Sequence, residues 1–224
     1  MNRSPDASAR RRTDAYFTAS FEVARRLAEG RGDEAIAVLR RELDRLEGDA
    51  ESTGRRFLLS QIALCFAKMG DFEQTARTLE QLEESLPHDA DTAILLSEGY
   101  LLLLENGERA AHHAGCALKW LEEAGEDTPE GVSRARNLMA RALVASSDLV
   151  GAFSAWEACP LPGWQAAVDL IEGGYNPLLV KRVLVDALPR LHQHERRQGA
   201  EAVASTDRVR RLIAWIDAGC PENS

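Results

Sequence analysis

The chain has 224 residues and a formal net charge of −9, with 45% hydrophobic, 28% charged and 6% aromatic residues. This composition is typical of an ordered protein and excludes a largely disordered one. The acidic balance argues against broad nucleic-acid affinity, because such a surface needs clustered cations to displace counterions. Alternating runs of Val, Ile and Thr are scarce, so we expect no substantial sheet.

The cysteines lie far apart, at positions 65, 116, 159 and 220, and form no CxxC pair. This usage is typical of the reducing cytosol and not of a disulfide framework. No apolar segment follows the basic N-terminus, and no apolar run reaches about 18 residues, so neither a secretory signal nor a transmembrane helix is expected. We therefore predict a cytoplasmic protein with no membrane partner. The high Ala, Leu and Arg content is typical of a GC-rich bacterial genome.

The first segment, residues 1–13, contains Arg3 and the run Arg10-Arg11-Arg12 among Ser, Pro and Ala, with no apolar stripe. We interpret it as a disordered basic tail. The alternative is a basic arm that binds an acidic partner.

Four turn-like segments that end in a small residue then recur along the chain: 30–35, 70–75, 106–111 and 147–152. The closing residues Ala35, Thr75, Ala111 and Ala152 are 40, 36 and 41 residues apart. Between the turns, apolar residues recur at i, i+3, i+4 and i+7, which is the pattern of amphipathic helices. The sequence therefore predicts about four repeats of helix, tight turn and helix.

The second repeat carries the family resemblance. Its first helix has large, large, small and aromatic residues at the spacing Leu59, Ile62, Ala63 and Phe66; Gly70-Asp71-Phe72, Thr75 and Pro87 follow. This pattern resembles the tetratricopeptide repeat (TPR) family, in which a Gly-Asp-Tyr turn, a small residue and a closing proline occupy these positions. The resemblance covers roughly residues 14–160 and implies an all-α, right-handed α-solenoid of antiparallel helix pairs. We predict that the TPR-like helical repeats span residues 14–162.

Small residues at Ala63, Gly99 and Ala140 are expected to face the small residues Thr75, Ala111 and Ala152, because only short side chains allow two helices to approach closely. In the first repeat, Arg26 falls where the family has an aromatic residue. We interpret this departure as a register shift of one residue in the first helix.

Residues 163–220 are predicted to form C-terminal capping helices, and residues 221–224 a tail. A short helix begins at Trp164, and Asn176 and Pro177 begin a second that reaches about Leu191. A polar loop from Arg196 to Thr206 and a last helix from Asp207 to Ala218 complete the cap. An atypical, polar ending is common in repeat proteins.

Candidate chemistry is sparse. The cluster His192-Gln193-His194-Glu195 has no third metal ligand at a recognisable spacing, and His112-His113 diverge on a helix. No nucleophile-elbow, metalloprotease, P-loop or dinucleotide motif is present. We therefore predict no catalytic residues, no metal and no cofactor, and we do not expect an enzyme.

The resemblance implies that the first helices of successive repeats line a concave groove for a partner peptide or helix. Transferring those positions gives the predicted partner-binding residues Phe57, Leu64, Lys68, Leu96, Tyr100, Leu103, Arg134, Asn137 and Arg141. Arg134, Asn137 and Arg141 share one helical face and would bind an acidic or C-terminal carboxylate group. The alternative interpretation is that the leucines are core residues and the arginines form a solvated face.

The leading functional hypothesis is a non-catalytic adaptor or escort chaperone that holds a partner segment in this apolar groove with a cationic end. One alternative is a regulatory nucleic-acid-associated protein, because residues Lys181 to Arg211 contain eight Lys/Arg against four Asp/Glu. Another is a structural subunit that self-associates into a homo-oligomer through its apolar helices.

Overall fold

The computed structural model describes residues 22–46, 52–85, 88–126, 128–198 and 200–220. All regular elements in these ranges are α-helices, which confirms the predicted all-α class for the described chain. The chain divides into two compact units, an N-terminal unit that ends at His88 and a C-terminal unit that begins at Asp89. The predicted tails, 1–13 and 221–224, and Pro87 lie outside the described residues.

The N-terminal unit contains α1 (22–28), α2 (Gly32–Asp44), α3 (Ser52–Lys68) and α4 (Phe72–Ser85). Within it, α2 packs against α3 and α3 against α4. The C-terminal unit contains α5 (Ala90–Leu104), α6 (Gly107–Ala124), α7 (Pro129–Ala145), α8 (Leu149–Glu157), α9 (Trp164–Glu172), α10 (Pro177–Gln198) and α11 (Ala200–Asp217). Each of these helices contacts the next, and α7 also contacts both α5 and α9.

The same backbone turn ends α1, α3, α7 and α9. Its left-handed residues are Gly30, Gly70, Ser147 and Gly174, with φ between 66° and 96°. After each, the next N–H donates to the carbonyl five residues back, at 2.8 Å (Arg31 to Arg26), 2.9 Å (Asp71 to Phe66), 2.8 Å (Asp148 to Leu143) and 2.9 Å (Tyr175 to Leu170). This is the Schellman arrangement, which satisfies carbonyls at a helix end while the chain turns away.

The turn between α5 and α6 differs, and it changes the predicted register. Glu105 is the left-handed residue there, and the Asn106 N–H reaches the Tyr100 carbonyl six residues back at 2.9 Å. The turn is therefore one residue longer than the others. The Ser97 hydroxyl donates to the carbonyl of Ala110 at 2.9 Å, and Ala110 is fully buried. The predicted pairing of Gly99 with Ala111 is wrong, because Ala111 is only partly buried and the close contact falls at Ser97 and Ala110.

In the N-terminal unit, residues of α1, α2 and α3 share one core, listed as Val23, Ala35, Ile36, Leu39, Leu58, Ile62, Cys65 and Phe66. The predicted register shift at Arg26 is wrong. The bond from Arg31 to Arg26 matches the bond from Asp71 to Phe66, so Arg26 occupies the aromatic position itself. Its guanidinium pairs with Glu22 at 2.8 Å and Glu34 at 3.2 Å. In the first helix pair, ion pairs of Arg26 thus occupy the position that the Phe66 ring occupies in the second helix pair.

In the C-terminal unit, α9, α10 and α11 share a core with α7 and α8. Trp156 of α8 and Leu184 of α10 are fully buried there, and Val209 of α11 joins them. The predicted loop from Arg196 to Thr206 is wrong in its described part, since α10 runs to Gln198 and α11 begins at Ala200. One buried acid, Glu195, accepts a hydrogen bond from the Thr206 N–H at 2.6 Å and ties the two helices together.

Candidate partner-binding site

The described residues include the cysteines and the histidines that the sequence singles out as chemical groups. No group of three His, Cys, Asp or Glu side chains among them could hold a metal ion. Burial raises the pKa of Cys65 to about 11, and burial also raises the pKa of Cys159, so neither thiol is a ready nucleophile at neutral pH. His194 contacts Glu130 at 3.1 Å, while His192 contacts Arg196 at 3.0 Å. Among the described helices, none combines the length and apolarity needed to span a membrane.

Arg134, the first residue of the predicted anion-binding face, pairs with a carboxylate of α5. Its Nη2 and Nε atoms donate to Glu98 Oε1 at 2.9 and 3.2 Å. The Arg134 side chain is 55% exposed and that of Glu98 30%. An incoming anion would therefore have to compete with Glu98 for this guanidinium.

Asn137, the second residue of that face, is used inside the C-terminal unit. Its Nδ2 donates to the carbonyls of Ser133 at 2.7 Å and Leu161 at 3.2 Å, and its Oδ1 accepts from the Gly163 N–H at 2.6 Å. The Ser133 hydroxyl also accepts from the Leu161 N–H at 2.9 Å. These bonds fix the connection between α8 and α9 against α7. The amide is therefore a structural clamp, because its donor and acceptor atoms already have partners.

Arg141, the third residue, pairs with α9. Its Nε donates to Asp169 Oδ2 at 2.6 Å, and the two side chains are only 25% and 21% exposed. Gln165 donates to the other Asp169 oxygen at 3.1 Å. The cationic face that the sequence predicted on α7 is thus neutralised by carboxylates of the helices on either side.

The predicted apolar residues of α5 do not form an open wall. Leu96 is 3% exposed and Tyr100 is fully buried, so their prediction as surface contacts for a partner is wrong. The Tyr100 ring stacks on His113 with centroids 5.3 Å apart, and the Arg109 guanidinium lies 4.3 Å from its centre. Leu103 is partly buried. The leucine-rich helix is therefore mainly core, as the alternative interpretation held.

The remaining predicted residues belong to α3 of the N-terminal unit. Phe57 and Leu64 are partly buried, and Lys68 is exposed. Phe57 packs against the core of that unit. The structure thus distributes the nine predicted residues over both units, three in the N-terminal and six in the C-terminal unit.

A surface cleft of about 500 Å³ lies elsewhere, along α2 where it faces the end of α3. We call it the α2–α3 cleft. Its lining combines apolar and charged side chains: Asp33, Ile36, Ala37, Arg40, Arg41, Asp44 and Phe66. Ile36 and Phe66 are buried at 4% and 8% exposure and form the apolar floor. Ala37 and the four charged residues are exposed.

The arginines of this cleft differ from those of α7. The Arg40 guanidinium lies 5.8 Å from the centre of the Phe66 ring, so it is held over the apolar floor. Among the described residues, no ion pair joins Arg40 or Arg41 to a carboxylate. Sequence reasoning missed this cleft because the resemblance assigned binding to the first helix of each pair. The signal was the spacing of Asp33, Ala37, Arg40, Arg41 and Asp44 along one face of α2.

The basic C-terminal helices are partly neutralised. Lys181 pairs with Asp217, Arg182 with Glu157 at 3.6 Å, and Arg210 with Asp207 at 3.5 Å. Arg208 lies 5.0 Å from the centre of the Trp164 ring. These contacts leave a weaker cationic surface than the sequence count implies.

No protein-family model, no curated protein and no solved structure matches this chain.

Proposed function

We propose that this chain is a non-catalytic, cytoplasmic adaptor or escort chaperone that holds a segment of a partner protein in the α2–α3 cleft. The observation that carries the proposal is the combination of an apolar floor with two arginines that lack a carboxylate partner among the described residues. A cleft of this size is large enough to take one or two side chains of a peptide.

The partner segment has an apolar side chain next to a carboxylate, either acidic or C-terminal. The apolar group would cover Ile36 and Phe66, and the carboxylate would accept hydrogen bonds from Arg40 or Arg41. Asp33 lies seven residues before Arg40, roughly 10 Å along the helix. A basic group at that distance from the carboxylate would meet Asp33 and add specificity.

We also propose that the helix pairs are of the TPR type and form a right-handed solenoid. Support comes from the shared Schellman turn, and from the buried small residues Ala63, Thr75, Ala140 and Ala152 at the matching positions. TPR proteins bind peptides on their helical surfaces, which agrees with an adaptor function. Binding between α2 and α3 would differ from the concave groove that the resemblance implies.

Selection of a displayed library of random peptides with free C-termini, using the full chain as bait, tests the proposal. We expect enriched peptides to share an apolar residue beside a carboxylate, and calorimetry to show 1:1 binding. Two matched variants then test the position. Ala37→Asp places a negative charge in the cleft and should weaken binding by about tenfold or more, whereas Ala37→Lys should not. Equal affinities for both variants would place the peptide elsewhere.

The two alternatives have their own outcomes. A short RNA or DNA that shifts with the chain at low salt and is released at high salt would favour the nucleic-acid hypothesis. A molar mass from light scattering that rises with protein concentration would favour self-association. Either result without peptide enrichment would contradict the adaptor.

A further inference from the structure

The exposed face of α2 carries charges of opposite sign at its two ends. Asp33 lies in the first turn of this helix and Arg41 in the last turn. Both are exposed and line the α2–α3 cleft together with Ala37 and Arg40. Within the part of the chain that the structure describes, the side chains of Asp33, Arg40 and Arg41 form no ion pair. One helix face thus presents an acid and two bases that a second molecule could pair.

These charges are arranged symmetrically about Ala37, which lies four residues after Asp33 and four residues before Arg41. Four residues advance a helix by about 6 Å, so the two charges lie at equal distances on either side of Ala37. A second α2 that lies antiparallel against the first, with both Ala37 residues at the twofold axis, places Asp33 of each copy opposite Arg41 of the other. Such a contact uses the same surface on both copies and closes as a dimer.

The same arrangement selects the antiparallel orientation and permits close packing. In a parallel pair Asp33 would lie opposite Asp33 and Arg41 opposite Arg41, and like charges in contact are unfavourable. At the axis the alanine methyl group is small enough for two helices to approach to about 8 Å. The aliphatic stem of Arg40 from the second copy can then cover the apolar floor of the cleft.

We propose that a second copy of this chain binds the α2–α3 cleft through this antiparallel α2–α2 contact, so that self-association closes the peptide site. The inference rests on the proposed function, because it assigns a regulator to the same cleft. Since α2 has 13 residues and is about 20 Å long, one face of it buries less than the roughly 1,200 Å² of a standard stable interface. We expect a dimer dissociation constant on the order of 10–100 µM. Peptide and second copy exclude each other, so added peptide shifts the chain toward the monomer.

The test measures self-association of the full chain by sedimentation equilibrium at low ionic strength. Asp33→Arg and Arg41→Asp should each weaken dimerisation by about tenfold or more, because like charges then meet across the contact. In an equimolar mixture of these two variants, every introduced charge lies opposite a charge of the other sign. The mixture should therefore dimerise about as well as the parent, which also shows that both variants are folded.

A substitution at the axis separates self-association from peptide binding. Ala37→Lys places two like charges opposite each other in the dimer, so it should weaken dimerisation by about tenfold or more. The same variant should bind the selected peptide at least as tightly as the parent does, since a cation in the cleft does not repel the carboxylate. Ala214→Lys, at an exposed alanine of α11, is the matched control and should dimerise as the parent does.

Two results would overturn the inference. One is a parent chain that stays monomeric at millimolar concentration. The other is a mixture of Asp33→Arg and Arg41→Asp that associates no more than either variant alone. A monomeric parent that still binds peptide leaves the proposed function standing, whereas a mixture that dimerises although no library peptide binds supports the α2–α2 contact and contradicts the peptide site.

Discussion

Arginines lie on the surface of both units, yet the two sets differ in what faces them. Arg134 and Arg141 of α7 pair with carboxylates of α5 and α9, whereas no ion pair joins Arg40 or Arg41 of α2 to a described carboxylate. The pattern of each helix alone predicts exposed cations in both sets, since arginines are mostly exposed. Whether an arginine is available to a partner thus depends on the carboxylates of the neighbouring helix. The sequence pattern of its own helix does not show them.

The largest loss of stability that this comparison predicts is at Asn137, which lies between the two arginines of α7 and holds the connection between α8 and α9. Asn137→Ala should destabilise the C-terminal unit by about 2–4 kcal/mol, because it removes three hydrogen bonds and leaves buried backbone groups unsatisfied. Denaturant unfolding followed by circular dichroism measures the loss. Gln193→Ala, at an exposed amide of α10, is the control and should change stability by less than about 0.5 kcal/mol. Equal midpoints for the two variants would show that Asn137 is not a structural residue.

A smaller loss of stability is expected for the two arginines of α7, and it should differ between them. Arg141→Ala should lower the free energy of unfolding by about 1–2 kcal/mol, since the substitution leaves the half-buried carboxylate of Asp169 without its cation. Arg134→Ala should cost less than about 0.5 kcal/mol, because that pair is largely exposed. The same unfolding experiment measures both. If Arg134→Ala proved the more damaging, the assignment of Arg141 as the structural partner of α9 would be wrong.

The smallest effect on stability concerns the ion pairs of Glu22 within α1. The hydrogen bond from Arg25, and then that from Arg26, lowers the pKa of Glu22 from 4.5 to about 2. Because the folded pKa is depressed, this contribution to stability is present above pH 4.5 and is lost as the pH falls toward 2. Glu22→Gln should therefore destabilise the chain modestly at neutral pH, and its difference from the parent should shrink as the pH falls through about 2. A difference in midpoint that stays constant over this range would contradict the assignment.

Much of the fold could be predicted from the sequence. Helical periodicity and Gly-containing turns predicted the helix pairs, because both signals are local in the chain. The close contact at Ala110 instead of Ala111 could not be predicted, because Glu105 adopts a left-handed conformation that is uncommon for a residue other than glycine. Likewise the described part of the stretch from Arg196 to Thr206 is helical, although its polar composition alone predicts a loop.

The site was predicted less well, for a reason that follows from packing. A stripe of leucines on α5 is equally compatible with a core and with a groove, and Tyr100 lies in the core because α6 covers it. The cation partners Glu98 and Asp169 lie 36 and 28 residues from their arginines, so no local pattern links them. The α2–α3 cleft likewise depends on Phe66, which is distant in sequence from Arg40.

The most direct test of the α2–α3 cleft as the binding site measures the affinity of one peptide for variants of both arginine sets. The tightest peptide from the displayed library is titrated by calorimetry into the parent, the double variant Arg40→Ala/Arg41→Ala and the double variant Arg134→Ala/Arg141→Ala. We expect the α2 variant to lose about 2–4 kcal/mol of binding free energy, since charge-assisted hydrogen bonds are removed and their losses do not add fully. The α7 variant, still folded by circular dichroism, should bind within about 0.5 kcal/mol of the parent. Normal binding by the α2 variant together with a large loss of affinity in the α7 variant would contradict binding in the α2–α3 cleft.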